Sequence, residues 1–298
     1  MDVNSLSSFF NDLEIHSLSN NLSEVASGDS SPKITKKIKK NYSTILTKKS
    51  LSDLLSSIKD THLLSLDIET TEINPIVADI VGISISYKPD EGFYIPVLFP
   101  DKENMKEYDL DLVSILNLLR EILESDLYKK CGQNIKYDAL VLSRYDIHIA
   151  NIVFDTMLAE YMLHPEKNSY KMDYLSLDYL KYSMVPIEDL IGTGLHQKSM
   201  AEVPLKDASF YASEDADIAL QLAGILKVKL EEEHLSKPYY EIEIPLIPVL
   251  TTIEKNGVNL DFDFLSDLSI KFGNKLKGLT EKIHQLAGRE FNINSPKQ

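Results

Sequence analysis

One short stretch, residues 63–71 (LLSLDIETT), constrains the fold more than any other part of the chain. It is β-rich and apolar at first, and it then carries two carboxylates, Asp67 and Glu69. Side chains two apart on a strand point to the same face, so these acids should lie side by side at the end of a buried strand. Two such anions repel each other unless a cation lies between them, and Mg²⁺ suits oxygen ligands on a rigid element. A strand that simply runs out into a polar turn is the alternative, because this tripeptide pattern is common.

The composition predicts the class of protein. A chain of 298 residues with 43% hydrophobic content can bury a sizeable core, as one large domain plus appendages. No apolar run approaches the roughly 18 residues that a membrane span needs, and the N-terminus lacks the pattern of a secretory signal. The single cysteine, Cys131, excludes an intrachain disulfide and a multi-cysteine zinc site. We therefore expect a protein of the reducing cytoplasm with no membrane partner.

The charge argues against one mode of nucleic-acid binding and leaves another open. A net charge of −15 does not suit a chain that wraps DNA by electrostatics alone. It remains compatible with an enzyme that handles a strand end through bound metal ions. A basic run before the first strand is interpreted as a solvated linker rather than a contact to backbone phosphates. Its members are Lys33, Lys36, Lys37, Lys39, Lys40, Lys48 and Lys49.

Hydrophobic periodicity predicts an α/β domain with a mixed β-sheet flanked by helices. After the opening strand, two more strands enclose a turn signal at residues 88–92, which predicts an antiparallel hairpin. The strands after the opening one are predicted at 80–87, 92–97, 129–131 and 152–154, and the helices at 50–58, 110–123, 134–142, 156–163, 172–180, 205–233 and 262–287. Residues 187–204 are expected to be irregular, with the pair Gly192 and Gly194 forming a plain turn rather than a phosphate loop.

A second candidate site lies at the strand-to-helix junction GQNIKYD, residues 132–138. Asn134 is expected to cap the helix, and Asp138 follows one turn later on the same helical face. An aspartate in a first helical turn is often there only for the helix dipole, so a site role and a dipole role both remain open.

A third candidate site lies inside the long helix predicted at 205–233. Tyr211 and Asp215 are four residues apart, so a phenol and a carboxylate face the same way. A partly buried tyrosine beside a solvated acid is the simpler alternative. Asp217 lies on another face and is interpreted as a surface charge, and Asp155 as the N-cap of the helix that follows it.

Together these groups suit a two-metal phosphodiesterase. Mg²⁺ prefers carboxylate oxygens and leaves room for water and a substrate phosphate. One ion would make hydroxide from water near neutral pH and the other would stabilise the departing 3′ oxygen. Tyr211 could orient the attacking water, with Glu69 as its hydrogen-bond partner.

The ordered motifs D-x-E, Q-N-x-K-Y-D and Y-x-x-x-D resemble the proofreading 3′→5′ exonuclease domain of family-A bacterial DNA polymerases. The resemblance runs from about residue 42 to 298, and residues 243–258 resemble the start of that family's polymerase thumb. It implies a ribonuclease-H-like (DnaQ-like) fold, two Mg²⁺ or Mn²⁺ ions per site, a single-stranded or frayed DNA 3′ end as substrate and a dNMP product. It also implies an exonuclease domain at 42–236 and a truncated thumb at 237–298. The Ser-, Asn- and Lys-rich composition before them, with ASGDSSP at residues 26–32, predicts a flexible linker at 1–41.

The resemblance also assigns roles to single residues. The family's metal ligands fall on Asp67, Glu69, Asp138 and Asp215, and its water-orienting tyrosine falls on Tyr211. Asn134 would contact the DNA end, and Ile73 and Ile187 would hold the frayed terminal bases. An aromatic residue is expected where this chain has Ile187, so stacking there would be weaker.

The chain departs from the family at its C-terminal end. It stops at residue 298, where the thumb helices would continue, so we expect a fragment whose polymerase and 5′-nuclease partners belong to a parent chain. Two alternatives remain: an RNase-D-like exonuclease that acts on RNA, and a non-catalytic spacer within a polymerase. Because all four carboxylates are present, an active nuclease is the favoured prediction.

Overall fold

The computed structural model describes residues 40–58, 63–194 and 197–297 of the chain. Two compact units are present, one ending at Lys255 and the other covering Asn256–Gln298. Most of the linker predicted at residues 1–41 lies outside the described residues. No helix among the described residues is both long and apolar enough to cross a membrane.

The first unit contains a six-stranded mixed sheet in the order β1-β4-β3-β2-β5-β6. Only β3 runs antiparallel to its neighbours; the β1–β4, β2–β5 and β5–β6 pairs are parallel. The predicted hairpin is confirmed, since β3 and β4 pair antiparallel around the turn at 88–90. The strands are β1 (Asn41–Thr44), β2 (Leu64–Thr70), β3 (Ile80–Ser86), β4 (Glu91–Pro96), β5 (Lys130–Gly132) and β6 (Ile152–Asp155).

The first unit has helices on both faces of this sheet, and the last helix of the chain belongs to the second unit. The helices are α1 (Lys48–Ile58), α2 (Leu112–Leu123), α3 (Ile135–Ser143), α4 (Thr156–Leu163), α5 (Met172–Leu175), α6 (Ile187–Ile191), α7 (Leu205–Glu232), α8 (Ser236–Pro238), α9 (Ile244–Asn256) and α10 (Phe262–Ala287). A π-helical turn, Ser176–Leu180, continues α5, and another, Tyr239–Glu243, precedes α9. The mixed α/β architecture predicted from the sequence is therefore confirmed.

Successive side chains of β2 alternate between the hydrophobic core and the candidate site. Leu64, Leu66 and Ile68 pack with α1 and α2 in the main hydrophobic cluster. The odd-numbered residues, including Asp67 and Glu69, point to the opposite face by the pleat of the strand, and α7 crosses β2, β3 and β4. β2 thereby joins an apolar core on one face to a polar site on the other.

A glycine on β4 permits the close approach of α7. A Cβ atom on Gly92 would lie 2.5 Å from the backbone oxygen of Ser213, a separation that real Cβ atoms do not show. Ser213 lies between Tyr211 and Asp215 on α7, so this contact sets how closely the site-bearing part of the helix can approach the sheet.

One strand was missed and two local predictions were wrong. β1 was not predicted, because Asn41–Thr44 is a short polar segment without hydrophobic alternation. The five-residue helix α6 lies at the start of the region predicted to be irregular. The predicted helix at 172–180 is one α-helical turn followed by a π-helical turn.

Candidate metal centre

Three carboxylates from two elements meet at one end of the sheet. Asp67 and Glu69 come from β2 and Asp215 from α7, and one oxygen from each lies within 4.8 Å of the other two. Spacing along β2 brings the first two together, and the crossing of α7 over β2 adds the third. The structure thus places the opening motif and the third candidate site in one cluster.

The fourth predicted ligand, Asp138, lies beside this cluster rather than within it. It is buried on α3, and the backbone N–H of Ile68 donates to its Oδ1 at 3.1 Å. Ile68 is the residue between Asp67 and Glu69, so this bond ties α3 to the acidic end of β2. The negative charge of Asp67 raises the pKa of Asp138, after the larger effect of burial.

Burial is the largest cause of the raised pKa values of the four acids. Burial raises the pKa of Asp67 to about 7, and it holds the pKa of Glu69 and Asp215 well above the usual range. The charge of Asp67 adds to the upward shift in both of those neighbours. Lysine and arginine side chains form ion pairs elsewhere among the described residues, but with none of these four acids.

One oxygen in the cluster has no protein partner. Oδ1 of Asp215 is buried and makes no hydrogen bond to any described residue. An anionic oxygen left in this state is unfavourable unless a cation or a proton satisfies it. Every donor in the group is a carboxylate oxygen, the ligand type that Mg²⁺ and Mn²⁺ accept. The residues therefore fit a hard divalent cation.

Tyr211 lies one helical turn before Asp215 on α7 and is partly buried. Burial raises the pKa of its hydroxyl, and the charges of Asp215, Glu69 and Asp67 raise it further. The group therefore stays a neutral phenol at physiological pH and can donate a hydrogen bond into the acidic cluster.

The start of α3 differs from its prediction. Asn134 occupies the N-cap position with a left-handed backbone (φ 55°), but its side chain makes no capping bond. The carboxylate of Asp155 does so instead: it accepts the N–H groups of Asn134 at 3.3 Å and Ile135 at 2.8 Å. The same carboxylate caps α4, accepting from Met157 and Leu158 at 2.9 and 3.1 Å, so its predicted N-cap role is confirmed.

A buried tyrosine holds this shared cap in place. The hydroxyl of Tyr239 accepts from the backbone N–H of Asp155 at 2.7 Å and donates to its carbonyl at 2.9 Å. Tyr239 is fully buried in the second hydrophobic cluster. The position of α3, and with it Asp138, is therefore set by residues well outside the acidic cluster.

A cleft of about 750 Å³ opens beside Glu69. Both isoleucines predicted to hold terminal bases line it: Ile73 is 91% exposed, and Ile187 at the start of α6 packs partly on the core. The hydroxyl of Tyr137 bonds Oγ1 of Thr70 at 2.6 Å and donates to the Glu72 carbonyl at 2.7 Å, which fixes the turn that carries Ile73. Asn134 is not among the lining residues.

The interpretation of Asp217 as a surface charge was wrong. Its carboxylate is fully buried and pairs with Nζ of Lys40 at 2.8 Å. It also accepts from the Tyr42 hydroxyl, the Asp90 backbone N–H and the Gln221 amide, at 2.8, 2.8 and 2.7 Å. Lys40, expected in a solvated linker, is 7% exposed. No local pattern identified this pair, because its members are 177 residues apart.

A second buried acid, Glu214, also anchors α7. It accepts from the Tyr182 hydroxyl at 2.5 Å and from the Val185 backbone N–H at 2.8 Å. Nζ of Lys40 lies 4.7 Å from the centre of the Tyr182 ring, which links the two anchors. These contacts flank Asp215 on the helix and restrict its rotation.

Comparisons with known proteins agree with this geometry. A family model described as 3′-5′ exonuclease matches residues 42–231. DNA polymerase I of Pseudomonas aeruginosa is 35% identical over 261 residues, which cover 87% of this chain and 28% of that protein. DNA polymerase I of Borreliella burgdorferi is 34% identical over 257 residues, 86% of this chain and 27% of that protein. The chain thus spans little more than a quarter of the length of these relatives.

Solved structures show the same fold at low sequence identity. The POL domain of Pol1 from M. smegmatis, in complex with DNA primer-template and dNTP, superposes with a TM-score of 0.67 at 19% identity, over 86% of this chain and 39% of that one. Brucella melitensis NrnC with bound Mg²⁺ gives a TM-score of 0.53 at 15% identity, over 76% of this chain and 98% of that one.

Proposed function

The chain belongs to the 3′-5′ exonuclease family of the DNA polymerase I type, and from that premise we propose that it removes nucleotides from the 3′ end of DNA by metal-dependent hydrolysis. One observation carries the proposal: three carboxylates lie within 4.8 Å of one another. One of their oxygens is buried without a hydrogen-bond partner. Such a cluster favours a divalent cation over any purely structural role.

We assign two ions, Mg²⁺ or Mn²⁺, to the four acids. Asp67, Glu69 and Asp215 would hold one, and Asp67 with Asp138 would hold the other. When bound, the ions would supply positive charge to the phosphate oxygens and to the leaving 3′ oxygen, and would lower the pKa of water. The acids in turn place that charge at a fixed point beside the cleft.

The remaining roles belong to neutral side chains. The Tyr211 hydroxyl orients the attacking water, with Glu69 as its hydrogen-bond partner. Ile73 and Ile187 hold the terminal bases of a single-stranded or frayed end, and Asn134 contacts that end. The product is a dNMP. Because an aliphatic side chain stacks less well than an aromatic one, the grip of Ile187 on a base is weak.

The parent protein is proposed on the same basis. The matched relatives are more than three times longer than this chain, which supports a longer DNA polymerase I with 5′-nuclease and polymerase domains. Within it, residues 1–41 would be a linker, 42–236 the exonuclease and 237–298 the start of the thumb. The proposed location is the cytoplasm, and the single cysteine supports it.

The test uses a 5′-labelled single-stranded DNA oligonucleotide with Mg²⁺ or Mn²⁺, resolved as a ladder on a gel. The expected result is stepwise shortening from the 3′ end that stops when EDTA is added and is absent in an Asp67→Ala, Glu69→Ala double variant. An intact substrate would overturn the proposal and favour a spacer role. Faster digestion of an RNA oligonucleotide of the same sequence would favour the RNase-D-like alternative instead.

A further inference from the structure

The negative net charge of the chain raises a problem for the proposed function. A DNA strand carries a negative charge at every phosphate, and the chain has a net charge of −15. Metal ions at the carboxylate cluster would neutralise the phosphate that is cleaved. They leave the next phosphates of the strand facing a cleft whose other charged members include Glu69 and Glu72. A strand held there needs a cation of the protein itself.

One basic side chain lines the cleft among the described residues: Lys198. It is exposed and has no ion pair or hydrogen bond through its ammonium group to any described residue. Two other lysines close to the lining residues of the cleft have ion pairs. Lys136, next to Tyr137 in the chain, pairs with Glu254, and Lys171 pairs at 3.8 Å with Glu188, next to Ile187. Lys198 is thus the unpaired cation of this cleft.

The backbone of Lys198 is held firmly although its side chain is free. Its N–H donates to the Ile191 carbonyl at 2.8 Å, which ties Lys198 to the last residue of α6. Gly192 and Gly194, directly after α6, adopt positive φ angles of 76° and 70°, a conformation that glycine allows at little cost. On its other side, Ser199 forms a capping box with Glu202. The ammonium group is therefore presented from a fixed point on the wall that also carries Ile187.

We propose that Lys198 is the phosphate-contacting residue of the cleft and binds the DNA backbone on the 5′ side of the phosphate that is cleaved. Because Glu69 lies in the same cleft, the strand would run from the carboxylate cluster past Ile73 and Ile187 to Lys198. The contact reads charge and not base identity, so it sets affinity for the strand without selecting sequence. This assignment rests on the proposed function and adds to it the residue that holds the substrate backbone.

The matched control is Lys227. It is also exposed and unpaired among the described residues, but it lines a separate cavity of about 630 Å³ beside β6 and α7. Lys198→Gln and Lys227→Gln each remove one charge, so any effect of net charge alone is shared by both. Lys198→Arg keeps the charge at the cleft. Thermal unfolding of all three should match the wild type, because neither lysine has a partner to lose.

The experiment measures KM and kcat on a single-stranded oligothymidylate between 50 and 200 mM KCl. Lys198→Gln should raise KM about fivefold at low salt with kcat unchanged, and it should lower the slope of log KM against log salt by about 0.7. Lys227→Gln should match the wild type in both, and Lys198→Arg should restore most of the affinity. Equal behaviour of the two Gln variants, or a loss of kcat rather than a rise in KM, would overturn the assignment.

A binding measurement separates this proposal from the proposed function. Fluorescence anisotropy of the same labelled oligonucleotide, with Ca²⁺ replacing Mg²⁺, reports affinity without turnover. In one outcome, the wild type does not hydrolyse the oligonucleotide, yet Lys198→Gln weakens binding and flattens its salt dependence. The phosphate contact then stands and the exonuclease activity fails. If hydrolysis proceeds but binding by Lys198→Gln equals that of the wild type, the exonuclease stands and the Lys198 contact fails.

Discussion

The buried ion pair between Lys40 and Asp217 allows a quantitative test. Lys40→Met removes the cation and leaves a carboxylate with no exposure to solvent. Breaking a buried pair from one side typically costs about 3 to 5 kcal/mol. The three neutral donors that remain, on Tyr42, Asp90 and Gln221, offset part of that loss. We therefore expect the lower end, about 3 kcal/mol, which corresponds to a fall in Tm of about 6 to 12 °C for a unit of this size.

The second contact of Lys40 adds little to this value. Its partner Asp90 is 39% exposed, so that pair contributes well under about 1 kcal/mol. Adding Asp217→Asn to Lys40→Met removes the stranded charge and should recover roughly half of the lost stability, because an amide tolerates burial better than an unpaired carboxylate.

The assay is urea unfolding followed by circular dichroism, with Lys49→Met as control. Lys49 belongs to the same basic run, but it is exposed and has no ion pair among the described residues. A Lys40→Met protein within about 0.5 kcal/mol of the wild type would refute the reasoning, as would a double variant less stable than the single one.

Three further predictions concern the candidate centre. Asp215→Asn should lower kcat at least about 100-fold, because it removes a charge that stabilises the reacting phosphate, and it should leave the secondary structure unchanged. Near-normal rates in the gel assay would contradict this. Tyr211→Phe should lower kcat by about 100-fold with little change in KM, as single-turnover and steady-state rates would show; a rise in KM alone would mean that the hydroxyl only binds substrate. Folding raises the pKa of Asp67 to about 7 through burial. Protonated Asp67 therefore stabilises the folded state fully below about pH 4, and this contribution is lost as pH rises through 7. Between pH 5 and 8 in EDTA, the free energy of unfolding of the wild type should fall by at least about 1 kcal/mol more than that of Asp67→Asn. Parallel unfolding curves for those two proteins across that pH range would reject the pKa argument, and Mg²⁺ should stabilise the wild type most at pH 8.

Local periodicity predicted the parts of the centre that lie within one element. The two-residue spacing of Asp67 and Glu69 on a strand and the four-residue spacing of Tyr211 and Asp215 on a helix are both geometric statements about a single element. The sheet then brings β2 and α7 together through contacts that no window of sequence contains. Periodicity did not predict that the two pairs share a site. The order of the motifs along the chain did.

Two of the failed predictions, at Asn134 and Asp217, involve competition between distant residues. Asn134 satisfies the local rule for an N-cap, but Asp155, 21 residues later, provides the capping carboxylate. Asp217 satisfies the local rule for a surface acid, but Lys40 lies 177 residues earlier. In both cases a buried charged group has a partner outside the range over which propensity and periodicity act.

The crossing of α7 over the sheet has a consequence for the chain as it is made. The two acids of β2 leave the ribosome well before Asp215, by roughly 7 to 30 s at bacterial rates of translation. During that interval the polar face of β2, and the face of β4 that Gly92 keeps open, have no helix to cover them. Lys40 is made 177 residues before Asp217, so it lacks its partner for somewhat longer, roughly 9 to 35 s. A chain that stalls before residue 205 would expose this uncovered sheet to chaperones and proteases, and the nuclease centre would form only after α7 has been made.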